Sequence, residues 1–309
     1  MATNTLHITL RTGAALAAAA LVAGSSCAFG REAAATDTAT ADDRDTATVV
    51  RPEPPEVAGP EAPARGRRSC PLRLPERLPN REIVVPILMY HRINVVSPST
   101  PAITRGLTVH PTVFARQMRW LRRHDYRTIT QRELFDALMC GRRLGRRPIL
   151  ITFDDGYRDN FRNASPVLAR HDMRATAYVI SGRISGDDPS FLKWWQVRAL
   201  ERRGVEIGSH TVSHRDLPSL SDRRAFAELV KARRVLERRL GHRVPWLAYP
   251  FGAYDARIER LARRAGYVLA VTTEWGARQS ARRPLALPRL RVLDSTGVRG
   301  LAAMLAELR

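Results

Sequence analysis

The sequence predicts an α/β domain whose parallel strands close into a barrel of seven or eight strands, each followed by a helix. Three observations point there. Strand-like apolar runs alternate with helical stretches at roughly 30–40 residues per pair, the rhythm of βα units. No GxGxxG follows any strand and no P-loop occurs, so the signatures of a nucleotide-binding open sheet are missing. The residues suited to chemistry fall just past the strand-like runs, where a barrel carries its site.

The elements follow in order. Residues 83–90 (IVVPILMY) read as a strand, distorted or at an edge because Pro86 lies inside it, and His91 stands at its end. Residues 111–126 read as a helix with Phe114, Met118 and Leu121 on one stripe. A short strand, 127–129, precedes Thr130, which caps a helix over 131–140 with Glu133 completing a capping box. The central strand is 148–153, and its buried run Ile149-Leu150-Ile151 leads into Asp154-Asp155-Gly156. Strand side chains alternate faces, so both carboxylates can serve one site only if the chain turns there, as Gly156 permits.

A helix over 158–171, a strand over 174–180 and a helix over 194–203 stopped by Gly204 come next. The strand 205–208 runs into Ser209-His210. Ser219 or Ser221 caps a long Arg-faced helix that buries Phe226, Leu229, Val230, Leu236 and Leu240 and ends at Gly241. Strands over 246–249, 267–272 and 287–292 and helices over 254–265 and 298–308 complete the pattern.

With 309 residues, 44% hydrophobic and 26% charged, the chain can hold one barrel-sized domain plus appendages. The net charge of +21 is carried by arginines that are scattered, not interleaved with aromatics. No nucleic-acid partner is expected; such a surface suits anionic envelope polymers or lipid head groups. Residues 1–28 read as a signal peptide: Arg11, the small apolar run 13–24, then cleavage after Ala28. The protein is therefore expected to be exported, to a periplasm or beyond. Cys27 leaves an alternative, a lipoprotein tethered to the membrane, although Gly24-Ser25-Ser26 lacks the usual Leu. Residues 29–80, rich in Pro, Ala and acids, read as a disordered linker, and 81–309 as the folded domain, with no second domain expected. Export permits a bond between Cys70 and Cys140, but spacing does not show that they meet.

His210 and His214 stand at i and i+4 in GSHTVSH. A helical turn there would put both imidazoles on one face. Two His and a carboxylate with an open position make a catalytic, zinc-like set.

Three motifs in this order, ITFDDGY, GSHTVSH and AYPFGAYD, resemble those of the polysaccharide deacetylases, family 4 of the carbohydrate esterases. The resemblance covers about residues 83–293. It implies a distorted (β/α) barrel that removes acetyl groups from sugars with a divalent metal, most often Zn2+, with Co2+, Ni2+ or Fe2+ as alternatives. Carried over by motif, Asp155, His210 and His214 are the metal ligands and Asp154 the catalytic base. Tyr249-Pro250-Phe251 is expected to flank the oxyanion, with Phe251 giving the backbone N–H because Pro250 has none. Tyr157 is expected to line the groove.

Two departures matter. Ala248 occupies the place where many members carry an Arg that steadies the base, and no His follows His242 to act as acid. PILMYHRI, ITQREL, EIGSHT, AYPFG and AVTT resemble the branch acting on poly-β-1,6-N-acetylglucosamine, which implies His91 as the acid. Arg289 or Arg291 on the last strand is expected to replace the missing Arg, with Arg289 preferred. Trp194, Trp195, Glu274 and Trp275 are further candidates for sugar contact. The leading expectation is a metal-dependent N-deacetylase of an N-acetylglucosamine-containing envelope polymer or exopolysaccharide, with poly-β-1,6-N-acetylglucosamine, a biofilm exopolysaccharide, preferred. Peptidoglycan or chitooligosaccharide deacetylation, and a glycan-binding module that no longer catalyses, are the alternatives.

Overall fold

A computed structural model of the protein describes residues 70–308. Its ring has seven strands: β1 (Ile87–Tyr90), β2 (Pro148–Phe153), β3 (Ala175–Val179), β4 (Val205–Ser209), β5 (Trp246–Ala248), β6 (Leu269–Trp275) and β7 (Leu287–Arg291). Each strand pairs in parallel with the next. The ring closes where Leu290 of β7 lies opposite Leu88 of β1. Besides a five-residue helix at Ala102–Gly106, the helices are α1 (Pro111–Arg123), α2 (Gln131–Cys140), α3 (Ser165–Arg170), α4 (Trp194–Arg202), α5 (Asp222–Leu240), α6 (Ala256–Arg264) and α7 (Gly297–Ala306). The barrel expected from the βα rhythm is thus a closed one with seven strands.

The strands are largely buried, as parallel strands covered by helices must be: every residue of β1 and of β3 is buried, while β6 emerges at Glu274 and Trp275. Helix α1 turns Phe114, Met118 and Leu121 inward. The capping box of α2 forms as expected, with Glu133 N–H donating to Thr130 Oγ1 at 3.0 Å and Thr130 N–H to Glu133 Oε2 at 2.9 Å. Helix α5 ends at Gly241 in the left-handed region, but Ser221 at its start makes no capping bond.

Prolines cause two differences from the expected elements. Pro86 splits the strand expected over 83–90. Glu82–Val84 leaves the ring and pairs antiparallel with Arg278–Ser280, and only Ile87 onward joins β2. Pro86 has no N–H to give a ladder, though its carbonyl accepts from Leu150 N–H at 2.9 Å. The helix expected over 158–171 opens as a wider π turn, Asn160–Ala164, before α3. Pro166 near the start of α3 cannot donate into an α ladder from the preceding turn.

The linker was expected to run to residue 80, but ordered packing begins by Cys70. Leu72, Leu74 and Leu78 pack against the core. Arg243 donates to Leu72 O at 2.8 Å and Arg263 to Pro75 O at 3.0 Å. Cys70 is disulfide-bonded to Cys140 at the end of α2, with Cα atoms 6.2 Å apart. The signal peptide 1–28, Cys27 and residues 29–69 lie outside the described residues.

The disulfide spans 70 residues of sequence. Closing a loop that long removes about 4 kcal/mol of unfolded-chain entropy. Cys140→Ser is expected to unfold at lower denaturant than the oxidised wild type by about that free energy. Reductant should erase the difference. Equal midpoints under oxidising conditions would show that the bond stabilises nothing.

Candidate active site

The candidate residues gather at the C-terminal end of the ring. His91 follows β1, Asp154-Asp155 follow β2, His210 follows β4, Pro250-Phe251 follow β5, and Arg289 lies in β7. The turn after β2 is what brings both aspartates to one place. Asp155 (φ 72°) and Gly156 (φ 79°) are both left-handed. Asp tolerates that region, and Gly156 avoids a close approach of a Cβ to Val179 at 3.0 Å.

Asp155 Oδ1 lies 3.4 Å from His210 Nε2 and 3.5 Å from His214 Nε2. One oxygen and two nitrogens bound to one ion at about 2.1 Å and a tetrahedral angle would stand about 3.4 Å apart. The donor set and its spacing therefore fit a divalent cation. His210 Nδ1 donates to Ala248 O at 2.8 Å, which leaves the Nε2 lone pair for the ion. Burial, and then His210, push His214 down to about 4, so that ring is neutral at neutral pH.

The two histidines do not meet through a helical turn, as the i, i+4 spacing suggested. The segment after β4 is irregular, and Thr211 (φ 65°) and His214 (φ 58°) are left-handed. Glu228, on α5, holds this loop: its carboxylate accepts from Val212 N–H at 3.0 Å, Ser213 N–H at 2.9 Å and Ser213 Oγ at 2.7 Å. The bonds replace the helical ladder, and Thr211 Oγ1 accepts from His214 N–H at 3.1 Å.

Strands β2 and β7 are separated by β1, so contact between their side chains crosses the bore. Arg289 makes that contact. Its guanidinium donates to both oxygens of Asp154, at 2.8 and 2.7 Å, to Thr152 Oγ1 at 3.1 Å and to Thr272 O at 2.8 Å. Burial alone would raise the Asp154 carboxyl, but the Arg289 charge and its hydrogen bonds hold it far below the usual range. Asp154 is thus an ionised group that does not belong to the ligand cluster but adjoins it. His91 is half-buried, and its buried Nδ1 has no partner among the described residues. Burial lowers its pKa, against the pull of the nearby Asp154 and Asp155 charges.

A family model described as polysaccharide deacetylase matches residues 141–270. A Bacillus subtilis protein named as a polysaccharide deacetylase, YxkH, is 32% identical over 218 residues, covering 71% of this chain and 74% of its own. The chain belongs to the polysaccharide deacetylase family. The Streptococcus pyogenes deacetylase PplD, solved with acetate, superposes with a TM-score of 0.68 at 30% identity, covering 72% of this chain and 99% of that one. A Staphylococcus aureus poly-β-1,6-N-acetyl-D-glucosamine N-deacetylase is 21% identical over 240 residues, 71% of this chain and 82% of its own.

The rest of this deacetylase's site is built around the turn after β5. Phe251 is left-handed (φ 59°) and 64% exposed, with its ring 4.6 Å from that of His214. Its N–H takes no partner among the described residues. Gly252 (φ 71°) follows because any Cβ there would run into Thr273. Tyr249, expected beside the oxyanion, is elsewhere. Its side chain is fully buried in the outer core, stacked on Tyr254, and its N–H donates to Val271 O at 3.2 Å. The strand's alternation turns Tyr249 outward, and Pro250 is buried, so only Phe251 faces the site from this motif.

A cavity of about 310 Å³ opens onto Asp155 and His214 and is lined further by Tyr157, Phe191, Arg92 and Arg183. Tyr157 therefore lies where a groove residue should. Burial and then the Asp155 charge raise its phenol, so it stays protonated. Trp194 packs on the core, whereas Trp195 and Trp275 are exposed. Glu274 is engaged by Tyr254 Oη at 2.6 Å and by Arg283. Glu228, Arg92, Phe191 and Arg183 were not anticipated from the sequence, which carries no local mark of a loop staple or a groove wall.

Proposed function

We propose that this polysaccharide deacetylase is a metal-dependent N-deacetylase of an exported glycan containing N-acetylglucosamine, with poly-β-1,6-N-acetylglucosamine as the first polymer to try. The observation that carries the reading is the ionised Asp154, buried against Arg289 and adjoining a three-donor cluster. The name of the Staphylococcus aureus relative supports the polymer, and the signal-like residues 1–28 support export.

Asp155, His210 and His214 would hold the ion. A divalent metal there supplies Lewis acidity toward the acetyl carbonyl and an acidified water. Zn2+ suits two imidazoles and a carboxylate, and Co2+, Ni2+ or Fe2+ accept the same donors. Asp154 takes the proton of the attacking water; its carboxylate is already ionised and fixed by Arg289. The Phe251 N–H, which has no partner among the described residues and belongs to the residue packed on His214, would donate to the charge that develops on the acetyl oxygen. His91, at the end of β1 beside the Asp154 and Asp155 charges, gives a proton to the departing sugar amine; because burial lowers its pKa, it must first take that proton up.

The test is acetate release from β-1,6- and β-1,4-linked N-acetylglucosamine oligomers, each with chelator and with zinc restored. Release that chelator abolishes and zinc restores supports the reading. Release that survives chelation refutes metal dependence. His91→Ala is expected to keep bound zinc by mass spectrometry and to lose roughly 10²- to 10⁴-fold in kcat. Unchanged turnover would remove His91 from the acid's role.

A further inference from the structure

A stack of four side chains beside the ligand cluster has no part in the reaction above. Arg92 lies over the Tyr157 ring, 3.8 Å from its centroid. Tyr157 stacks on Phe191 at 5.2 Å, with the planes 24° apart. Arg183 caps the other aromatic, 5.1 Å from the Phe191 centroid. All four line the cavity that reaches Asp155 and His214. The stack is built into the backbone. Tyr157 and Phe191 form an antiparallel bridge, Arg158 N–H donates to Ser190 O at 2.7 Å, and Leu192 N–H donates to Gly156 O at 3.0 Å.

The charges on this wall are incompletely matched. Arg92 reaches Asp159 at 3.5 Å, but that buried carboxylate also accepts from Ile93 N–H at 2.9 Å. Arg183 is exposed and forms no ion pair among the described residues. Asp188, on the same loop, lies within electrostatic reach of both arginines, but it is exposed and accepts from Ser190 N–H at 2.8 Å. A neutral N-acetylglucosamine homopolymer offers two guanidinium groups only hydroxyl and amide oxygens, with no charge to offset theirs. Its product is worse, since each new amine adds a positive charge. A carboxylate or phosphate matches the guanidinium fork, and the aromatic faces hold that fork in place.

We propose that Arg92 and Arg183, displayed on the Tyr157–Phe191 stack, form a subsite for an anionic substituent, carboxylate or phosphate, on the sugar next to the acetylated one. This rests on the deacetylase reading and departs from the polymer chosen above: a neutral homopolymer such as poly-β-1,6-N-acetylglucosamine becomes the poorer substrate. The chain's net charge of +21 would draw such a glycan in.

The experiment compares kcat/KM for acetate release by the zinc-loaded protein on three series. These are neutral β-1,4- and β-1,6-linked N-acetylglucosamine oligomers, peptide-free glycan fragments with a free lactyl carboxylate on alternate sugars, and oligomers phosphorylated on the neighbouring sugar. At least one anionic series is expected to exceed its neutral counterpart by tenfold or more, and which one does so separates carboxylate from phosphate. Arg183→Gln and Arg92→Gln should shrink that ratio, while Arg92→Lys, which keeps the charge, should restore part of it. Thermal midpoints guard against a folding defect; Arg183→Gln alone, at an exposed side chain, still decides should Arg92→Gln fail to fold. Neutral oligomers used as well as both anionic series, or a ratio the variants leave alone, overturns the subsite. Acetate from no substrate refutes the deacetylase reading instead. Calorimetric titration with the same oligomers then decides the subsite, tighter anionic binding upholding it and equal binding overturning it.

Discussion

Asp154→Asn is expected to retain zinc and to lose roughly 10²- to 10⁴-fold in kcat, the usual worth of a positioned general base. The amide keeps the shape of the carboxylate but cannot take a proton from water. The ligand atoms belong to Asp155, His210 and His214, so metal content should hold. Asp155→Asn and His210→Ala should behave differently, losing metal as well as turnover. Mass spectrometry on the purified variants separates the two patterns. Asn also turns an N–H toward one arm of Arg289, where the carboxylate had accepted two bonds at 2.8 and 2.7 Å. Some loss of stability should therefore accompany the loss of turnover. An Asp154→Asn enzyme with more than a tenth of wild-type kcat and full zinc would mean that water is activated without this residue.

The site was legible to the extent that it is written in strand ends. Asp154-Asp155-Gly156 declares a turn, because two acids after an apolar run must leave the core and glycine lets the chain bend. Arg289 was legible by subtraction: with Ala248 in place of the usual Arg, an inward-facing Arg on the last strand had to be considered. What the sequence could not show is how the loops at these strand ends are held by more distant residues. The HxxxH spacing suggested a helix, but Thr211 and His214 are left-handed and Glu228, fourteen residues beyond His214, shapes the loop. Phe191 reaches Tyr157 only because their loops form a bridge. Tyr249 shared the motif of Phe251, yet alternation along β5 sent its side chain to the opposite layer. The residues 72, 74 and 78 were hidden in a segment whose prolines and acids looked like linker, although three leucines there were enough to dock it.

Arg289→Met is expected to be the most destabilising single change in the site, at about 3–5 kcal/mol, because it strands a buried carboxylate. The Arg289 and Asp154 side chains are 0% and 4% exposed, so water cannot take over. Asp154→Asn/Arg289→Met should recover much of that loss, since no buried charge remains. Recovery should stop short of the wild type: Thr272 O, which accepts from Arg289 at 2.8 Å, stays without its donor. The pH dependence has a defined sign. In the wild type the Asp154 carboxyl sits far below its unfolded value of about 3.9, so its stabilising contribution is present above that pH and lost as pH falls through the folded pKa. Without Arg289, burial raises the carboxyl, and the variant loses stability as pH rises past about 4. The gap between wild type and Arg289→Met should thus be widest near neutrality and narrow below about pH 4. Denaturant unfolding of the metal-free proteins at both pH values measures it. A gap that does not change with pH would mean that Arg289 stabilises the barrel through Thr152 and Thr272 alone, and the base would then need another explanation for its ionised state.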